Sequence, residues 1–427
     1  MGLNLGRFHI YEENLLNKYN RMPQILRNPL IFETYLSRLL HKFLAKFHTQ
    51  LPLAIMIVAI NTRFLLKKLE GYGYFIHELF RVLVQKYPEH KFYFLFDREY
   101  DERFLYASNV YPLVVPPQAR HPLLWKYWYD VKIPGALKKI KADIFVSPDG
   151  FSSLTAKIPQ CLIVHDLGFL NHPKTYKKSH ARFLKRNTPK YLTKATSVVT
   201  VSEFSKDDIV KHYGIDPDKI DVIYNGVKTI FRPFSVDIKD AIKEKYTDGK
   251  EYFIYAGAIQ PRKNLTNLLK AFSIFKKRLQ SSMKLVIAGR LAWKNDEFLK
   301  LLNNYKYKSD VVLTGYVPEE ELAGLIASAY ALIYPSLYEG FGVPVAEAMK
   351  CGVPVLTSAK TSMQEVAGDA GLYFNPNDHV DIADKMMLIY KDEKLRNELV
   401  RIGQTIASRY NWELAADLLW QVILKTV

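Results

Sequence analysis

Cysteine is almost missing from the 427 residues: Cys161 and Cys351 lie far apart, each inside an apolar run. That excludes a disulfide framework and leaves no His/Cys spacing for a structural metal, so both read as buried thiols in a reducing compartment. Long apolar runs are missing too. A bilayer span needs about 18 residues, and the longest candidate, Leu51 to Ile60, is shorter and broken by Pro52. There is no Gly-x-Ser-x-Gly elbow for a nucleophilic serine. Asp216-Pro-Asp218 sits in a turn before a strand rather than after one, so it reads as turn chemistry and not as a metal-holding pair. Acid is scarce relative to base: 43 Asp and Glu against 60 Lys and Arg leave a formal net charge of +17. Such a surplus favours polyanionic partners (nucleic acid, an anionic membrane face, phosphorylated substrates) without choosing among them.

What is present suits two α/β halves. An apolar share of 48% supplies enough for two cores of ordinary size. Short apolar runs at Met56–Ile60, Lys91–Phe96, Ile144–Ser147, Gln160–Val164, Ser197–Val201 and Asp221–Tyr224 predict buried parallel strands. Helical spacing at Phe75–Lys86 and Lys206–Tyr213 alternates with them, and Ser202 stands at an N-cap position. The proline-bearing, aromatic-rich stretch up to Pro134 carries no strand signal. After a charged linker, Phe234 to Lys250, a second series of strands follows at Tyr252–Ala256, Lys284–Ala288, Val311–Leu313, Ala331–Tyr334 and Pro354–Leu356. The expected fold class is α/β, with two facing Rossmann-like domains, residues 54–233 and 234–410, and an interdomain cleft at the carboxyl ends of the strands.

Residues 1–53 form a basic extension. Leu36, Leu39, Leu40, Phe43, Leu44 and Phe47 recur at helical spacing with Arg38, Lys42 and Lys46 on the other side, the pattern of an interfacial amphipathic helix. A native start at Met56, where the first strand opens, is the other reading. Gly71 and Gly73 follow that first strand as a glycine turn before a helix. The third glycine of the dinucleotide fingerprint is missing, which argues against a nicotinamide dehydrogenase.

The stretch from Tyr334 to Ser358 organises the rest. A buried strand runs into the loop Tyr338-Glu339-Gly340-Phe341-Gly342, where glycine lets backbone N–H groups approach a ligand. Pro344 suits a first helical turn, and Gly352 stops the helix before a second strand. The helix N-terminus therefore faces the loop, a natural site for an anion. Glu339 in the loop and Glu347 in the helix frame it. As isolated charges they read as a helix-start acid and a solvated surface acid.

As a unit, the segment closely resembles the Glu-x7-Glu signature of the retaining glycosyltransferases of family 4, complete with its Pro-Ser, Glu-Gly-Phe-Gly and Gly-x-Pro-Val elements. The resemblance covers Met56 to the C-terminus. It implies a GT-B fold, with the terminal helix, 411–427, crossing back onto the first domain. It also implies a nucleotide-diphosphate sugar donor and transfer with retention of anomeric configuration. Glu339 would contact the donor sugar and Glu347 the ribose, and Gly340, Phe341 and Gly342 would belong to the donor site. Gly257-Ala-Ile-Gln-Pro-Arg262-Lys263-Asn264 resembles the family's diphosphate-binding element. Many members carry Arg directly after the glycine where Ala258 stands here, which moves the arginine contact to Arg262. The nucleobase would lie near Gly315-Tyr316-Val317. His165, in Val-His-Asp, would contact the sugar, with its carbonyl beneath the anomeric carbon. Gly71 and Gly73 resemble the loop near the donor phosphates and the acceptor.

No cofactor or metal is expected: cations and N–H groups would hold the departing diphosphate. The expected partners are the nucleotide sugar, a glycan or lipid-linked acceptor in surface polysaccharide assembly, and no nucleic acid, for which no binding motif is found. Segment 174–194, with Lys174, Lys177, Lys178, Arg182, Lys185, Arg186, Lys190 and Lys194, reads as a solvated helix face or as a patch for an anionic membrane. The expected place is cytoplasmic, peripheral on the inner membrane face. A GT-B sugar-nucleotide epimerase and a basic nucleic-acid binder are the alternatives.

Overall fold

The computed structural model describes residues 55–69, 71–292 and 296–427. The extension 1–53, with its expected amphipathic helix, lies outside them. Met56–Val427 forms one compact unit holding two wholly parallel sheets. The first orders its strands β3-β2-β1-β4-β5-β6-β7 and the second β10-β9-β8-β11-β12-β13. Its strands are β1 (Ile57–Asn61), β2 (Lys91–Phe96), β3 (Val110–Val114), β4 (Ile144–Ser147), β5 (Gln160–Val164), β6 (Ser197–Thr200) and β7 (Ile220–Val222). The second sheet holds β8 (Tyr252–Ala256), β9 (Lys284–Ala288), β10 (Val311–Gly315), β11 (Ala331–Tyr334), β12 (Val355–Ser358) and β13 (Gly371–Phe374).

Both orders reverse direction beside the central strand, at β1/β4 and at β8/β11, and such switch points open a crevice at the carboxyl ends of the strands. The apolar runs became strands because helices cover both faces: every residue of β4, β5, β8, β9, β11 and β12 is buried. One core spans both halves, from Val58 and Phe80 to Leu285 and Ile423, and a second fills the other face of the first sheet around Trp128, Tyr129 and Phe145.

Several elements depart from the sequence reading. β3 lies inside the proline-bearing stretch, and Pro112 is tolerated because β3 is an edge strand. In the same stretch Pro122 and Pro134 stand in the first turns of helices Pro122–Tyr127 and Ile133–Ile140, joined by a wider turn at Trp128–Lys132. β13 closes the other sheet. The charged linker is largely a helix, Val236–Thr247.

The terminal helix Trp412–Thr426 packs on the first half. Trp420 stacks on Tyr87 with ring centroids 4.3 Å apart, and Lys86 pairs with Asp417 at 2.6 Å. A Cβ on Gly226 would lie 2.5 Å from Trp412, so only glycine lets the exit of the first half pass this helix.

Candidate active site

The loop after β11 is built around one buried carboxylate. Glu339 Oε1 accepts from Ser336 Oγ at 2.5 Å, from Tyr334 OH at 3.2 Å and from the Lys263 ammonium. Burial alone would push this carboxyl up. The cations Lys263 and Arg262 outweigh it and hold the group at about 2, ionised throughout the physiological range.

Those cations come from the turn Pro261–Lys263, which leads from the end of β8 into helix Leu265–Leu279. Asn264, at φ 61°, makes the bend, and its side chain donates to the Pro335 and Pro376 carbonyls at 3.2 and 2.6 Å. Lys263 is 8% exposed and donates to Tyr334 OH at 2.6 Å as well as to Glu339. Burial draws its ammonium below the usual lysine value, against the pull of Glu339. Arg262 donates to the Tyr338 carbonyl at 2.7 Å and faces Glu339 at 3.6 Å and Asp166, of the first half, at 3.8 Å. Despite the opposing cost of burial, the two carboxylates hold its guanidinium firmly charged.

The opposing wall comes from the loops after β5 and β6. His165 Nε2 lies 2.9 Å from the Pro148 carbonyl, which can only accept, so Nε2 carries the proton. Burial lowers the imidazole's affinity for a second proton, and the ring stays neutral between Tyr72 and Phe75, 4.7 and 4.5 Å away by centroids. A Cβ on Gly340 would lie 2.2 Å from the His165 carbonyl oxygen, so the halves touch backbone to backbone here.

The structure thus brings Arg262, Lys263, Glu339, Gly340 and His165 together. Gly257, at φ 140°, ends β8 under the Tyr255 ring, which stacks on Tyr334. Gly342, at φ 92°, caps helix Val343–Lys350. Phe341 is 3% exposed, and its ring packs on Tyr410 and Tyr224 at 5.2 and 6.1 Å. Only its backbone can meet a ligand.

Glu347 belongs to a neighbouring cluster. The residue is half-buried, and its carboxyl makes no hydrogen bond or ion pair among the described residues. Desolvation, then the nearby Glu319 carboxylate, raise it to about 8 against the pull of Lys228. Lys228 in turn bridges Glu319 and Glu78 at 2.7 and 3.1 Å. Tyr316 is 53% exposed, with the Lys68 ammonium 3.9 Å over its ring, and Val317 follows it. Gly71, at φ 41°, precedes helix Tyr72–Lys86, so Gly73 sits inside its first turn rather than ahead of it. A Cβ there would lie 2.6 Å from the Phe64 carbonyl, which gives this glycine a packing role.

Sequence reading missed Tyr334 and Ser336 as partners of Glu339, Tyr72 as a neighbour of the His165 ring, and Tyr338 and Asp166 as contacts across the halves. Ser336 and Asp166 stand inside the Pro-Ser and Val-His-Asp elements, but nothing in those elements names their partners; Tyr72 and Tyr338 act on residues 93 and 130 positions away. Among the described residues no group of three or more His, Cys, Asp or Glu could hold a metal ion.

Comparison with known proteins bears on this site. Residues 69–230 match the family model "Glycosyltransferase Family 4", and residues 237–405 match "Glycosyl transferases group 1". O-antigen chain mannosyltransferase B of Escherichia coli is 30% identical over 299 residues, 69% of this chain and 78% of the relative. O-antigen chain mannosyltransferase RfbU of Salmonella typhimurium is 29% identical over 323 residues, 74% of this chain and 84% of the relative. Among solved structures, HepE of Anabaena in complex with UDP-glucose superposes with a TM-score of 0.67 at 15% identity, over 87% of this chain and all of that one.

Proposed function

Since the chain belongs to glycosyltransferase family 4 and its relatives build O-antigen chains, we propose that it moves a hexose in surface polysaccharide assembly. The donor is a nucleotide-diphosphate sugar, the acceptor a glycan or a lipid-linked glycan, and the anomeric configuration is retained. The observation that carries this reading is the convergence of Arg262, Lys263 and Glu339 at the carboxyl ends of one sheet, opposite His165 at the end of the other.

In the transfer, the acceptor oxygen bonds to the anomeric carbon as the bond from that carbon to phosphate breaks. The hydroxyl proton passes to the leaving phosphate, so no enzymic base is needed. Two negative phosphates are left behind, and fixed charge aimed at them lowers the barrier. Glu339 and Tyr334 use two of the three ammonium N–H groups of Lys263, leaving the third for phosphate. Arg262 meets its carboxylates at ion-pair rather than hydrogen-bond distance, so its outer N–H groups can turn to the same phosphates. These two cations, not a divalent metal, take the role of leaving-group stabiliser. Glu339 orients the sugar, Glu347 receives the ribose, and Tyr316 and Val317 border the nucleobase.

A screen of nucleotide sugars by thermal shift identifies the donor, because a ligand bound only to the native state raises its melting point. With that donor and an O-antigen fragment as acceptor, transfer should persist in EDTA. Lys263→Ala should slow it by about three orders of magnitude, of the size seen when an anion-stabilising donor is removed. Undiminished turnover by that variant would remove the assignment.

We further propose attachment to the cytoplasmic face of the membrane. No described helix is long and apolar enough to cross one. The support is helix Lys178–Lys194, which turns Lys178, Arg182, Lys185, Arg186, Lys190 and Lys194 to solvent.

A further inference from the structure

Three consecutive residues of the sugar-site loop point in alternating directions. Glu339 faces its own half. Tyr338 and Gly340, on either side of it, are both docked on the other half. Tyr338 OH donates to Asp208 Oδ2 at 2.7 Å and accepts from the Leu167 amide at 3.1 Å. Asp208, only 9% exposed, is kept in place by Asn171 at 2.9 Å and His212 at 3.3 Å. The Gly340 carbonyl accepts from Ser202 Oγ at 2.5 Å.

Serine side chains carry one proton each, and the shorter contacts claim them: Ser202 lies 2.5 Å from the Gly340 carbonyl against 3.0 Å from Ser205 Oγ, and Ser205 lies 3.1 Å from the His165 carbonyl against 3.3 Å from that of Gly340. Ser202 gives its proton to Gly340 and accepts the Ser205 amide at 3.0 Å as the cap of helix Glu203–Tyr213. Ser205 Oγ is then free to donate to the His165 carbonyl at 3.1 Å. Two neighbouring hydroxyls thus hold two neighbouring carbonyls, one from each half, side by side. A third contact crosses nearby. Glu365, in helix Met363–Ala367 of the second half, accepts the Glu203 and Phe204 amides at 2.7 and 3.0 Å, an anion on the exposed N–H groups of that same helix. Ser362, at the start of this segment, places its hydroxyl between the Glu339 and Phe341 carbonyls, 3.0 and 3.1 Å away, and its one proton serves them. The clamp on the helix is therefore tied back to the sugar-site loop.

We propose that Tyr338, Ser202, Ser205 and Glu365 are positioning residues. Together they register the His165 wall of one half against the Glu339 loop of the other, and so set the gap in which the acceptor meets the donor sugar. This rests on the proposed transferase reading for its effect on turnover but not for its effect on geometry. Arg262 and Lys263 hold the nucleotide from the second half alone, so the contacts matter for alignment and not for nucleotide grip.

The test uses the full chain carrying Tyr338→Phe with Glu365→Ala, and Glu365→Gln as the milder variant that keeps one acceptor for the helix. Spin labels on Lys141→Cys and Asn304→Cys, exposed positions on the two halves, report the interdomain distance; Cys161 and Cys351 are buried. The double variant should shift the distance distribution longer and broader, with Glu365→Gln in between. UDP and GDP should bind within about twofold of the unmodified affinity. With the donor found above, kcat should fall by at least about tenfold at unchanged donor KM. An unchanged distance distribution overturns the proposal, and so does a lowered melting point with distance and kcat intact. If the distances respond while the unmodified chain transfers no sugar, the registering contacts stand and the transferase reading falls.

Discussion

Glu339 and Lys263 show how a single buried ion pair ties catalysis to stability. Their side chains are only 9% and 10% exposed, and removing one partner of such a pair costs about 3–5 kcal/mol, because the other charge stays buried. The environment makes the cost unequal. Lys263→Met leaves Glu339 still facing Arg262, whereas Glu339→Gln leaves an ammonium beside a guanidinium with no carboxylate between them. Urea denaturation should therefore find Glu339→Gln the more destabilised single variant, and the double variant Glu339→Gln/Lys263→Met more stable than it, with transfer lost in all three. Equal losses that add in the double variant would contradict the coupling. Glu347 gives the opposite sign. Its proton is held to about 8 in the native state against an ordinary value of 4.5. A raised native pKa contributes stability that is complete below the unfolded value and lost as pH rises through the native one. The melting-point gain of Glu347→Gln over the unmodified chain should be small near about pH 5, grow to about pH 8 and then level off. A flat profile across that range would show that the carboxyl is not desolvated.

At the scale of elements, legibility followed the range of the forces involved. The central strands could be read from their apolar runs because burial on both faces leaves one signature, and β4, β5, β8, β9 and β11 have the bounds that their residues suggest. Edge strands are wet on one side, which weakens that signature. Of the four edge strands, β7 and β10 still showed short apolar runs, while β3, interrupted by Pro112, and β13, beginning at Gly371, were not legible. Prolines misled in the stretch 122–140, where Pro122 and Pro134 start helices rather than break them. In the site, the motif residues Arg262, Lys263, Glu339 and His165 were legible and the structure gathers them. Their partners were not, since the pairing of Tyr338 with Asp208 spans 130 positions and that of Ser202 with Gly340 spans 138. A family motif marks the residues a ligand touches. It is silent on the contacts that hold two halves in register, which depend on how two loops happen to meet.

At the scale of the whole molecule, the charge surplus is not spread evenly. No acidic residue occurs between Asp166 and Glu203, a span that contains the whole basic helix. Beside that helix lies an apolar stripe: Leu123, Tyr127 and Val131, at helical spacing, are 78%, 42% and 55% exposed, while Trp125 between them turns inward onto His180 and Phe183 of the basic helix at 4.7 and 5.4 Å. Exposed apolar residues flanked by lysines form the combination that lies on anionic bilayers, with side chains entering the headgroup boundary and ammonium groups meeting lipid phosphate. Each basic residue near such a surface contributes about 1 kcal/mol, so Lys178→Ser with Lys185→Ser should weaken binding to phosphatidylglycerol vesicles by roughly 30-fold at low salt. Leu123→Ser with Tyr127→Ser should weaken it by a factor that salt does not change, because that share is apolar burial rather than charge. Co-sedimentation with vesicles of graded anionic content measures both. Binding that ignores all four substitutions, or no binding at all, would remove this face as the proposed membrane contact.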